Sequence, residues 1–229
     1  MAYQDWTTWT EVDGNNKLTV TANKVDIVNL LDSDIAYVTK DFGAGYFGDF
    51  VHQMKMTFTS ADPFAAVPIW YLSANEQHSY ADFASNLDGI ICLAGSGAGP
   101  TYYIQVREAD GPSSDTYFIP AVPATYWLEI ERSGTTFTCK IYSDAFTTLV
   151  DTLTLTCYAD TLRWMNAPCS YDAAFAYQFT GSIENLDIGA GAPSYAISKV
   201  GTVTYGAGVS KVGTVSLANI AKIGTVSDE

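Results

Sequence analysis

Positive charge is scarce in this sequence of 229 residues, which has 11 Lys and Arg against 25 Asp and Glu. The net charge of −14 repels phosphate backbones and anionic lipid surfaces, so neither nucleic acid nor a membrane is an expected partner. Apolar runs long enough to span a bilayer are also missing. The polar, aromatic N-terminus lacks the basic start and apolar run of a signal peptide, and none is predicted.

Cysteine and histidine are too few and too widely spaced to indicate a zinc site. The four cysteines show no CxxC spacing, which favours buried free thiols: Cys92, Cys139, Cys157 and Cys169. Of the two histidines, His52 lies in an apolar-rich segment and is predicted to be hydrogen-bonded within a sheet, whereas His78 lies in a polar loop and is predicted to be solvated. Because no G-x-S-x-G elbow accompanies them, nucleophilic catalysis is not predicted.

Apolar residues, at 48%, are abundant enough to build a large core, and they recur with period two between turn signals. The clearest pair is Thr125–Arg132 and Thr135–Ser143, joined by Ser133-Gly134. In the first segment Tyr126, Leu128 and Ile130 share one face, and Trp127, Glu129 and Glu131 share the other. About a dozen such strands, with no βαβ alternation, predict an all-β, two-sheet antiparallel jelly-roll sandwich. Segment 75–86 is interpreted as a loop with about one helical turn.

A change of composition divides the chain into a body at 1–189, a Gly/Ala/Pro linker at 190–196 and a repeat tail at 197–229. The pattern ISKVGTV at 197–203 returns as VSKVGTV at 209–215 and as IAKIGTV at 220–226. β-Branched residues occupy every third position of each copy: Ile197, Val200, Val203, Val209, Val212, Val215, Ile220, Ile223 and Val226. Units this small cannot bury their apolar side alone, so these residues are predicted to mediate assembly. A narrow solenoid, a three-chain coil, an arm draped over a neighbour and a flexible linker all remain open.

Paired carboxylates would indicate glycoside hydrolysis, since sandwich-fold glycosidases use two. Glu129 and Glu131 share a strand face, but glucanase-like jelly rolls carry E-x-D-x-x-E, and the position of the last acid is Gly134 here. A solvated face is therefore preferred, and no catalytic residue is predicted. The stretch Asp13-Gly14-Asn15-Asn16 could supply oxygens to Ca²⁺, but an ordinary turn is preferred because no fourth or fifth ligand is visible. No cofactor or metal site is predicted.

Aromatic residues make up 14% of the chain, so rings are available for a sugar-stacking surface. Most must belong to the core or to cross-strand pairs. The residues predicted to contact a ligand are Trp127, Tyr102, Tyr171 and Glu129.

The hairpin TYWLEIERSGTTFTCKIYSD and the closing FTGSIENLDIG resemble the concanavalin A-like (laminin G-like) jelly-roll superfamily. The segments WTEVDGNNKLTVTANKVDI and DFGAGYFGDFVHQMKMTF are similar to proteins of this kind from phages and environmental genomes. The resemblance covers about residues 5–189 and implies a lectin-like sandwich that binds glycans or proteins, with enzymes a minority. The tail resembles KVGTV-type repeats at the ends of phage structural proteins.

Together these resemblances imply a non-enzymatic virion surface protein, such as a capsid decoration, a fibre or an appendage. The lectin-like body would face outward, and the tail would join the chain to itself as a homotrimer and to other virion proteins. A cell-surface glycan is a further possible partner. The alternatives are a secreted, extracellular glycan-binding lectin module and a divergent glycoside hydrolase or polysaccharide lyase.

Overall fold

A computed structural model describes residues 3–86, 88–109, 114–157, 161–171 and 175–189. The linker and tail, with the nine predicted assembly residues, lie outside the described residues. The described residues form fourteen strands, one short 3₁₀ turn at Trp6–Thr8 and one α-helix. In chain order they are β1 (Thr10–Asp13), β2 (Leu18–Val20), β3 (Lys24–Leu31), β4 (Ala36–Asp41), β5 (Phe50–Ala61), β6 (Ala66–Ser73), α1 (Tyr80–Asn86), β7 (Ile90–Ser96), β8 (Tyr102–Glu108), β9 (Ser114–Ile119), β10 (Ala124–Ser133), β11 (Thr136–Tyr142), β12 (Leu149–Thr156), β13 (Trp164–Cys169) and β14 (Gln178–Asp187).

The strands form two seven-stranded antiparallel sheets, which confirms the predicted jelly-roll sandwich. The first sheet has the order β1-β4-β13-β6-β7-β8-β9, and the second has the order β12-β11-β10-β5-β14-β3-β2. Half of the neighbouring pairs join strands that do not follow one another in the chain, as where β5 lies between β10 and β14. Such pairing brings side chains from separate parts of the chain onto one face.

The main core fills the space between the sheets. It contains large side chains that are almost fully buried: Trp6, Trp70, Phe58, Phe137 and Phe179. In β10 the buried apolar residues are Tyr126, Leu128 and Ile130, as the period-two pattern predicts. Burying this much aromatic and aliphatic area is the dominant stabilising term of the sandwich.

The outer face of the first sheet carries a smaller apolar cluster under α1. Tyr80 and Phe83 of the helix pack against Tyr71, Ile91 and Cys169 of the sheet. The expectation of about one helical turn in 75–86 was too short, because Tyr80 and Phe83, spaced by three, give the helix a buried side. Strand β1 was not predicted, since its side chains are half-buried or exposed and leave no apolar pattern.

The four cysteines are buried and free, as predicted. The described ranges include no helix that is long and apolar enough to cross a membrane.

Candidate functional site

Most polar side chains of the β10–β11 hairpin lie on the outer face of the second sheet. Trp127, Glu129 and Glu131 alternate with the buried residues of β10 and are half-buried on this face. The neighbouring strand β5 contributes Gln53 and Lys55, which alternate with buried methionines in the same way. Because both strands are pinned by a buried face, these side chains are held in a fixed register.

One cross-strand row on this face runs through Trp127. The register pairs Trp127 with Tyr142 of β11 on one side and with Lys55 of β5 on the other. Lys55 is in turn opposite Glu184 of β14, which is opposite Lys24 of β3. Four strand spacings amount to roughly 19 Å. The row therefore offers two aromatic rings followed by alternating charges over a length greater than one sugar ring.

Hydrogen bonds fix the charged side chains beside Trp127. Glu129 accepts hydrogen bonds from Lys140 Nζ at 2.7 Å and from Gln53 Nε2 at 2.8 Å. The hydrogen bond from Lys140 holds the pKa of Glu129 below its ordinary value, against a smaller opposing effect of burial. Lys55 Nζ donates to Glu184 at 3.0 Å and lies 6.0 Å from the Trp127 ring centroid. Glu129 is therefore an ionised hydrogen-bond acceptor at neutral pH.

A cleft of about 250 Å³ opens beside Trp127, and we call it the Trp127 cleft. Its lining residues are Tyr3, Gln53, Met54, Lys55, Trp127, Ala145, Phe146 and Asn185. Asn185 has a φ of 55° at a register shift of β14, and such bulges redirect side chains. The amide side chains and the ring of Trp127 thus share one opening.

The loop after β11 supplies an aromatic wall of the Trp127 cleft. The Asp144 carboxylate accepts hydrogen bonds from the backbone of Thr147 and Thr148, which lower its pKa. This turn places Phe146 edge-on to Tyr142, with ring centroids 5.7 Å apart. Hydrogen bonds within this turn therefore fix the position of the aromatic wall.

Only two of the four predicted ligand residues meet at this site. Trp127 and Glu129 lie together on the outer face of the second sheet. Tyr102 belongs to the first sheet and packs edge-on against core residue Phe58, at 5.4 Å between centroids. Tyr171 follows β13 and stacks on Tyr80 at 4.1 Å, in the cluster outside the first sheet. The sequence pattern missed Phe146 and Asn185, whereas the alternation in β5 could have indicated Gln53 and Lys55.

Neither histidine lines the Trp127 cleft, and each contacts another aromatic side chain. His52 is fully buried, as predicted for a hydrogen-bonded sheet residue, and its Nδ1 accepts a hydrogen bond from Trp70 Nε1 at 3.1 Å. Burial lowers the pKa of His52 to about 3. His78 is only half-buried, but it stacks on Tyr37 at 4.2 Å instead of being simply solvated.

The segment considered for Ca²⁺ forms a turn. Asn16 N donates to Asp13 O at 3.3 Å, and Leu18 N donates to Asp13 Oδ2 at 2.6 Å. Among the residues that the structure describes, no group of three or more His, Cys, Asp and Glu side chains could hold a metal ion.

No protein-family model matches the chain, and no curated protein matches it by sequence. Several solved structures are similar to this chain in fold. A legume lectin-like domain from Entamoeba histolytica has a TM-score of 0.54 at 13% identity, covering 79% of this chain and 90% of that one. The exoplasmic/lumenal domain of VIP36, bound to Ca²⁺ and Man3GlcNAc, has a TM-score of 0.53 at 9% identity, covering 81% and 87%. An alginate lyase from Alteromonas sp. 272 has a TM-score of 0.52 at 8% identity, covering 79% and 93%. The body therefore has the legume lectin-like, concanavalin A-like jelly-roll fold.

Proposed function

We propose that this protein binds carbohydrate at the Trp127 cleft without cleaving it, as a surface component of a virus particle. The observation that carries the binding role is the arrangement around Trp127. A half-exposed indole lies beside amide, ammonium and carboxylate groups on a rigid sheet. Sugar rings present apolar C–H faces that stack on aromatic rings and hydroxyls that need donors and acceptors. The cleft offers both.

The row of side chains across the second sheet supports an oligosaccharide as the ligand. Tyr142 and Trp127 provide adjacent rings, and Lys55, Glu184 and Lys24 extend the row with groups that bond hydroxyls. The ion pairs hold these groups in place before a ligand arrives, which reduces the entropy lost on binding.

Binding is favoured over catalysis because Glu129, the carboxyl group beside Trp127, is ionised at neutral pH. A general acid for glycoside cleavage needs a raised pKa so that it keeps its proton near neutral pH. The pKa of Glu129 is lowered by Lys140, which favours the carboxylate. The buried His52 does not face this cleft, so it is not a candidate base for an elimination reaction.

The virion role is supported by the repeat tail, which resembles the ends of phage structural proteins, and by the similarity of two body segments to proteins from phages and environmental genomes. Three copies of a β-branched pattern in 197–226 imply an apolar surface that another chain must cover. A trimer would present three Trp127 clefts together. Weak single-site affinities would then combine into tight attachment to a glycan-coated surface.

The binding role is tested by a glycan array followed by titration of the best ligand against wild type and Trp127→Ala. Loss of the stacking ring is expected to weaken binding about tenfold or more. Trp164→Ala is the matched control, because Trp164 is a half-buried tryptophan on the first sheet and its loss should leave affinity unchanged.

Two outcomes would contradict the proposal. Equal weakening by both substitutions would place the ligand elsewhere or indicate general loss of structure. Release of reducing ends or unsaturated sugars that disappears in Glu129→Gln would indicate a hydrolase or a lyase.

A further inference from the structure

A second cleft, of about 400 Å³, lies where loops from separate parts of the chain converge, and we call it the Asp32 cleft. Its lining residues are Asp32, Phe64, Tyr171, Phe175 and Tyr177. Asp32 N donates to Tyr177 O at 3.0 Å, and Phe64 N donates to Gly97 O at 3.3 Å. Backbone hydrogen bonds therefore hold two of its walls in place. None of these residues lies on the outer face of the second sheet.

Among the residues that the structure describes, none gives the buried carboxyl group of Asp32 a positive partner. Its residue is only 3% exposed, and its carboxylate accepts one long hydrogen bond, from Ala66 N at 3.4 Å. None of the salt bridges among the described residues involves Asp32. Burial raises the pKa of Asp32 to about 7, and the charge of Asp62 adds to the increase. A buried carboxylate that lacks a cation destabilises the fold, which is typical of a residue retained for a ligand.

Aromatic rings surround the opening above this carboxyl group. Phe175 and Tyr177 are stacked with centroids 5.6 Å apart, and Phe64 lies 5.9 Å from Tyr177. Phe64 and Phe175 are 56% and 57% exposed, although aromatic side chains favour burial. Phe64 also has a φ of 71°, a strained conformation for a bulky residue. These rings are held at a water-facing rim at a cost in stability.

We propose that the Asp32 cleft binds a small organic ammonium ion, with its charge against the Asp32 carboxylate and its alkyl groups among the rings. The faces of aromatic rings carry negative potential and attract ammonium groups, most strongly where water is displaced. A buried carboxylate adds a full negative charge to the same space. An uncharged ligand would leave Asp32 without compensation, so the cation is the chemistry that the cleft favours.

Electrostatics around the cleft predict the pH dependence of this binding. Arg107 acts on Tyr103, as Asp32 does, but its guanidinium bonds the hydroxyl of Tyr80 and lies over the ring of that residue. The pKa values of Tyr103 and Tyr171 are raised, chiefly by burial, so both stay protonated at neutral pH. Among the described residues, the titratable groups around Asp32 are Asp62, Tyr103, Tyr171 and Tyr177. Since Asp32 loses its proton near pH 7, ammonium affinity should rise roughly tenfold from pH 6 to pH 8.

The test is calorimetric titration of the full-length protein with choline and with ethanolamine, a quaternary and a primary ammonium. The control ligand is 3,3-dimethylbutan-1-ol, which has the shape of choline without its charge. Saturable binding of at least one ammonium is expected, and at least tenfold weaker binding of the alcohol. Asp32→Asn should abolish ammonium binding, Tyr177→Leu should weaken it, and Trp127→Ala should leave it unchanged.

Folding of the Asp32→Asn variant is checked by its thermal unfolding midpoint at pH 8. We expect a midpoint equal to or above that of wild type, since the buried charge is removed. The proposal is overturned if neither ammonium binds, if the uncharged alcohol binds as tightly as choline, or if the Asp32→Asn protein binds choline with wild-type affinity.

Discussion

The side chains around Trp127 contribute more to geometry than to stability. Exposed and half-exposed ion pairs such as Lys140 with Glu129 are worth about 0–1 kcal/mol each. A half-exposed indole likewise forgoes part of the free energy that burial would give. What these residues share is a fixed position relative to the ring of Trp127. That position is what a ligand with both apolar faces and hydroxyls requires.

His52 predicts how the fold responds to acid. Burial lowers its pKa to about 3, so the folded state resists the protonation that the unfolded state undergoes near pH 6.5. Its contribution is fully present above pH 6.5 and is lost as the pH falls toward 3. Between pH 7 and pH 4 this amounts to about 3 kcal/mol of unfolding free energy. Urea unfolding of wild type and His52→Gln at both pH values measures this loss of unfolding free energy. Gln is chosen because its side-chain oxygen can still accept the hydrogen bond from Trp70 Nε1.

Carboxylates titrate alike in the two proteins, so the difference between them isolates His52. The substituted protein should lose about 3 kcal/mol less than wild type on acidification. Equal losses would show that His52 takes up its proton in the folded state.

At the scale of elements, close approach of strands limits what β14 can carry. A Cβ added at Gly181 would lie 2.5 Å from the carbonyl oxygen of Thr57 on β5. Gly181→Ala should therefore push apart the strands beneath the Trp127 face and destabilise the fold by about 1–3 kcal/mol. Chemical denaturation measures the loss. Gly48→Ala is the control, because nothing lies within 4 Å of its added Cβ and its φ is ordinary; a similar loss in both would point to glycine replacement itself.

The elements that the sequence predicted well have at least one buried face. The hairpin of β10 and β11 follows from strict alternation, with Leu128 and Cys139 inside and Glu129 and Lys140 outside. Strand β1 escaped prediction because an edge strand with no buried side chain has no alternation to detect. Helix α1 has only seven residues, too few for a clear helical period.

Only those site residues that share one strand could be predicted to lie together from the sequence. Trp127 and Glu129 share a strand, so their common face could be derived from their spacing. The partners Gln53, Lys55 and Glu184 join them through strand pairings that no local pattern specifies. The Asp32 cleft draws on residues as distant as 32 and 177, and its side chains converge only in the folded chain.

At the scale of the whole molecule, the repeat tail predicts self-association. Introducing charge at Val200, Val212 and Ile223 together, as Asp, should disrupt the shared apolar surface. Native mass spectrometry of the full-length chain should show a trimer of the 24.7 kDa chain for wild type and a monomer for the variant. Aspartates at Thr202, Thr214 and Thr225 add the same charge beside the predicted face and should leave the trimer intact. A wild-type monomer at micromolar concentration would instead favour a secreted lectin module.

The most direct test of the carbohydrate-binding account follows the tryptophan indole N–H signals by NMR while a glycan selected on the array is added. The account predicts that the Trp127 signal moves with saturation, that the Trp164 signal stays in place, and that the sugar resonances remain those of intact glycan. Movement of Trp164 alone, or the growth of cleavage-product resonances, would contradict it.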